Sequence, residues 1–178
     1  MKAVMDESSC FLQSLHPLPI QYIDISQHLK SHFGITPKTS GCDIIAFANQ
    51  AGFESCDQVL SAYDFLIDCI IKQSSKQDHW VLCAFYPDIM PALAATKDNK
   101  AMRFEFYLNH IEVGHGYEEL IDADQAKKRF DRWHQERIDQ GLDAVDYDQK
   151  FLQALRVCPA STGVSFGIDR LIAVIQGY

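Results

Sequence analysis

From Arg103 to Glu119 the chain reads RFEFYLNHIEVGHGYEE, and the alternation of apolar and polar residues on either side of Asn109 and His110 reads as a β-hairpin. With Asn109 and His110 as a two-residue turn, Tyr107 is expected opposite Glu112 and Glu105 opposite Gly114. One face then carries Phe104, Phe106, Leu108, Ile111 and Val113, a core face; the other carries Glu105, Tyr107, Glu112 and Gly114. Glu105 and Glu112 become diagonal neighbours about 7 Å apart. Unpaired and partly buried, they would repel by about 2 kcal/mol at an effective dielectric near 20, a cost that a divalent cation or a cationic ligand removes. Gly114, Gly116, Tyr117 and Glu119 follow, where small residues let a ligand approach the backbone and an aromatic and an acid flank it.

A second glycine-bearing strand, TGVSFGIDRL from Thr162 to Leu171, runs straight into a helix with Arg170 in its first turn. Taken together, RFEFYLNHIEVGHGYEELIDADQ and GVSFGIDRL resemble the C-terminal half of a class II aminoacyl-tRNA synthetase catalytic domain of the lysine type. Within it they are most similar to the lysyl-tRNA synthetase paralogues of the GenX/PoxA group, the elongation factor P lysyltransferases. That resemblance implies an ATP-dependent ligase that activates lysine or β-lysine, with Mg2+ on the triphosphate and elongation factor P as acceptor. Glu105 and Glu112 stand at the family's ATP and magnesium positions. Glu119 stands where the amine of the substrate side chain is recognised, and Arg170 at the third-motif arginine that contacts ATP. His115, Tyr117 and Ser165 fall at positions that shape the amino-acid pocket. The family's Asn and Phe are replaced here by His115 and Tyr117, and Ser165 stands where the family has a small residue.

The first and second class II motifs have no counterpart before the hairpin, so catalysis by this chain alone is not expected. Losing an arginine on a transferring phosphoryl group lowers rates by about 10³ to 10⁵. Two alternatives follow: a non-catalytic, synthetase-like binding or regulatory module, which would assemble with a complementary synthetase-like chain, or a fragment of lysyl-tRNA synthetase. Without the first-motif strands the sheet is expected to expose an edge, where two copies could pair as a homodimer.

The 178 residues are 47% hydrophobic and 22% charged, enough for a folded core in one domain. A net charge of -8 argues against direct tRNA binding, which uses clustered Lys and Arg. No apolar run reaches the roughly 20 residues that cross a bilayer, and a cytoplasmic location is expected. Cys10, Cys42, Cys56, Cys69, Cys83 and Cys158 form no C-x-x-C pair and read as buried small hydrophobes or free thiols.

Residues 1–78 read as a mainly helical region and 79–178 as the hairpin and third-motif region of one partial domain. Helices are expected over Met1–Leu15, from Tyr22 to a stop at Gly34, over Cys42–Ala51 and over Asp57–Lys72. Trp80–Tyr86 is a continuous apolar run that suits a strand covered on both sides. Asp122 and Gln125 open a long helix that Gly141 closes, and its Lys127, Lys128, Arg132 and Arg137 make a solvated face. Asp148 caps a shorter helix. Helices in the first half with a hairpin and a late strand in the second give an α+β fold, and the resemblance implies an antiparallel sheet flanked by helices.

Overall fold

Among the described residues of the computed structural model, 1–54 and 57–177, seven helices and six strands form. They run α1 (Lys2–Leu15), β1 (Ile20–Asp24), α2 (Ile25–Phe33), α3 (Gly41–Gln50), α4 (Val59–Ser74), β2 (Trp80–Pro87) and β3 (Thr96–Lys97). The second half continues with β4 (Lys100–Leu108), β5 (Ile111–Glu118), α5 (Ala123–Asp139), α6 (Gln149–Leu155), β6 (Thr162–Phe166) and α7 (Ile168–Gln176). The sheet order is β1-β2-β4-β5-β6, with β3 paired to the outer end of β4. Only β1 and β2 are parallel; every other pair is antiparallel. This is the expected α+β architecture of a mostly antiparallel sheet flanked by helices, and β1 and β6 are its edges.

Alternation along β2 splits the core into two layers. Trp80, Leu82 and Ala84 pack on the back with Phe104, Phe106, Leu12 of α1 and Leu171 and Val174 of α7. Val81 and Cys83 pack on the front with Ile23, Leu29, Ile44, Leu66 and Ile70, under α2, α3 and α4. Ala101 and Tyr107 of β4 join that front layer, and further across the sheet, toward β5 and β6, a groove opens. The long helix α5 packs Ala126 and Phe130 on Leu120 and Leu152, while Arg129 donates to the carbonyls of Ala92 and Ala94. Its basic face is solvated, with Lys127 bridged to Asp131 and Arg132 to Glu136 one turn on.

Four expectations need correcting. Tyr22 lies in β1, within the region read as helical, because Asp24 both ends that strand and caps α2 by accepting from the Gln27 amide at 2.9 Å. Five residues are too few for a period to show.

The hairpin forms with the expected turn, since Asn109 and His110 both adopt positive φ, 51° and 66°. Tyr107 faces Glu112, but Glu105 faces His115 rather than Gly114, because a β-bulge at Val113 adds one residue to β5. Gly114 and Gly116 are thereby opposite Phe106 and Phe104. A Cβ at Gly114 would stand 2.4 Å from the Phe166 ring, and one at Gly116 2.2 Å from that of Phe104. These glycines make room for core aromatics, not for a ligand. Ile111, expected in the core, is exposed beside the turn.

Of the cysteines, Cys83 is buried, Cys10 and Cys42 are exposed, and Cys69 and Cys158 lie between; all five are free, and Cys56 lies outside the described residues.

Candidate functional site

The groove, about 540 Å³, is walled by β4, β5, β6 and the start of α7. Antiparallel pairing gathers its walls from two distant motifs. His115 faces Ser165 and Tyr117 faces Gly163 across β5 and β6, and Arg170 enters one turn beyond β6. Glu105, Glu112, His115, Tyr117, Ser165 and Arg170, all marked in the sequence, line this one groove.

The two glutamates have opposite surroundings. Glu105 is buried, and its carboxylate accepts from three donors: Arg103 Nη2 on Oε1, and the hydroxyls of Tyr86 and Tyr107 on Oε2. Burial, reinforced by the Glu105 charge, pushes both phenols well above the usual tyrosine range, so each hydroxyl keeps its proton and donates. Arg103 stacks over the Tyr86 ring, 4.4 Å from its centroid, and donates through Nη1 to the Met90 carbonyl at 3.3 Å.

Glu112 is half-exposed and has a single side-chain partner, His115 Nδ1 at 3.1 Å from Oε1. The His115 ring also lies 5.5 Å from that of Tyr117. The exposed Arg170 donates from Nη1 to the main-chain oxygen of Glu112 at 3.3 Å. Among the described residues no carboxylate pairs with Arg170, so it forms no bridge to Asp169 and its fork stays available to an anion.

Glu119 follows the end of β5, bridged to Ala94 and outside the groove lining. Its Oε1 passes 3.1 Å from where a Gly163 side chain would begin, on the side that Tyr117 faces. Burial pushes its carboxyl above the usual range. Gly163 is therefore the glycine of this region whose missing side chain clears a carboxylate rather than an aromatic ring.

Sequence reading missed Arg103 and Tyr86 as site residues. Arg103 had a signal, since residues two apart on a strand share a face and Glu105 is its neighbour in that sense. Tyr86 had none, because its contact is made across the β2–β4 pair.

Comparison with known proteins bears on this arrangement. Residues 23–178 match the family of tRNA synthetases class II (D, K and N). The chain is 29% identical over 166 residues to an elongation factor P--(R)-beta-lysine ligase of Avibacterium paragallinarum, covering 89% of this chain and 52% of that protein. A ligase of the same name from Histophilus somni (strain 2336) is 30% identical over 173 residues, 93% of this chain and 53% of the relative. One from Enterobacter sp. (strain 638) is 38% identical over 96 residues, 52% of this chain and 30% of the relative. The chain spans about half the length of the first two of these relatives.

Proposed function

We propose that this chain, which belongs to the family of class II tRNA synthetases (D, K and N), forms one wall of a site for ATP-dependent activation of a lysine-type amino acid. Lysine or β-lysine is the substrate, and elongation factor P the acceptor, by analogy with relatives named for that ligation. The observation that carries this reading is the convergence of Glu105, Glu112, His115, Tyr117, Ser165 and Arg170 on one groove, with Glu119 beside it.

The groove residues divide the work by charge. Arg170 offers an unpaired guanidinium to phosphate oxygens. Glu119, partly desolvated and beyond Gly163, is stabilised by a substrate ammonium, while His115 and Ser165 face each other where the amino acid would lie. Magnesium fits the two glutamates on donor capacity. Glu112 has one of its lone-pair positions engaged and Glu105 three of about four. No cluster of three or more acidic, His or Cys ligands exists among the described residues, and Mg2+ ordinarily uses one or two carboxylates with phosphate oxygens and water. When bound there, the ion supplies charge neutralisation of the triphosphate.

Calorimetric titration with a non-hydrolysable lysyl-adenylate analogue in the presence of magnesium tests the reading. Saturable binding that is lost in Glu119→Ala supports it. No heat with either protein removes it and directs attention to a synthetase-like module that binds a protein partner.

A further inference from the structure

We infer that Tyr86, Tyr107 and Arg103 are positioning residues that fix the orientation of the Glu105 carboxylate in the groove wall before a magnesium-nucleotide ligand arrives. The inference rests on the functional reading above and adds to it a role for three residues that act through Glu105.

The fold spends unusual local structure on these contacts. Cys83 pairs with Glu105 and lies on the front of β2, so strict alternation would put Ala84 and Tyr86 on the back. A β-bulge between Ala84 and Tyr86 breaks that count, and Phe85 within it adopts φ 60°, a conformation a bulky residue rarely takes. Ser26 Oγ donates to the Phe85 carbonyl at 2.6 Å and holds the bulge. Its consequence is that the Tyr86 hydroxyl reaches Glu105 on the front face.

Arg103 is held at a comparable cost. Its Nε is the one buried side-chain donor or acceptor without a partner among the described residues. Stacking on Tyr86 and the bonds to Met90 and Glu105 fix the guanidinium plane in spite of that orphan donor. Three donors therefore converge on one carboxylate from β2 and β4, leaving about one lone-pair position open toward the groove. Magnesium demands near-ideal octahedral geometry, so a ligand that cannot swing matters more here than for calcium.

The test uses Tyr86→Phe and Tyr107→Phe, singly and together, each nearly isosteric. Two probes are titrated: the β,γ-imido analogue of ATP at varied magnesium, and the lysyl-adenylate analogue, which has no triphosphate. The double variant is expected to bind the imido analogue about tenfold or more weakly, with half-saturation shifted to higher magnesium, as for other partners that orient a metal ligand. Binding of the adenylate analogue should stay within about threefold. Equal weakening of both probes, or an unchanged magnesium dependence, would show a structural role and overturn the inference alone. Wild-type protein that binds neither probe overturns the functional reading and the inference with it. Should Tyr86→Phe fail to fold, Tyr107→Phe carries the same comparison, its hydroxyl meeting the same Oε2.

Discussion

Replacing Gly116 by Ala separates two explanations of the hairpin glycines. The added Cβ would lie 2.2 Å from Phe104 Cζ and 2.5 Å from the Gly163 carbonyl oxygen, against about 3.5–4.0 Å for carbon atoms at rest. The ring could yield only by pushing on a closed core, since Phe104 is wholly buried between Phe106 and the helices behind. The oxygen cannot yield without parting β5 from β6, because Gly116 and Tyr117 pair directly with Val164 and Gly163. Overpacking of this kind costs about 1–3 kcal/mol and more where backbone must move. Reduced freedom of the unfolded chain returns about 0.4–1 kcal/mol. A net loss of about 3 kcal/mol is expected, which at a urea slope near 2 kcal/mol/M lowers the unfolding midpoint by about 1.5 M. Adding Phe104→Leu should recover about 1 kcal/mol relative to the sum of the single changes, the coupling expected of touching residues. Circular dichroism during urea titration reads both effects. A Gly116→Ala variant with an unchanged midpoint but weakened adenylate-analogue binding would refute this packing account and restore the view that the glycine clears space for a ligand.

Three further outcomes are expected. Asp24→Ala removes the α2 cap and leaves Lys100 without the carboxylate 3.2 Å away, costing about 2 kcal/mol in a urea titration; Asp24→Asn keeps the cap and costs about half as much. Arg170→Ala should weaken binding of the imido ATP analogue at least tenfold with little change in melting temperature, because its side chain is exposed. Because burial raises the Glu119 carboxyl in the folded state, the fold favours its protonated form. That contribution is full below the unfolded value near pH 4 and is lost as pH rises through the folded one. Glu119→Gln should therefore melt higher than wild type at pH 7 and level with it near pH 3.5, read by thermal scans across pH.

What the sequence made legible follows the length of each periodic signal. The stop at Gly34, in the left-handed conformation, and the caps at Asp122 and Asp148 were readable from residue type alone. The hairpin turn was readable in the same way, while the six groove residues were marked through the resemblance of two motifs, whose side chains meet because β6 pairs with β5. The bulge at Val113 and the register shift at Phe85 were not readable, since a change of count between paired strands leaves composition untouched. Each shift moved functional assignments. At Val113 it sent two glycines to the core, and at Phe85 it brought Tyr86 to the site.

On the proposed reading, the charges of the groove are unevenly shared. Arg103 and Glu105 neutralise each other within its wall, so Arg103 adds little attraction for an anion in a chain of net charge -8. Arg170 is then the unpaired cation of the groove, facing a nucleotide that carries several negative charges. One guanidinium cannot balance a triphosphate, and Glu112 alone would repel it. A divalent cation held at Glu112 would offset that repulsion, so on the proposed reading binding of a triphosphate would depend on the metal more than binding of an adenylate, with a single phosphate-like group, would.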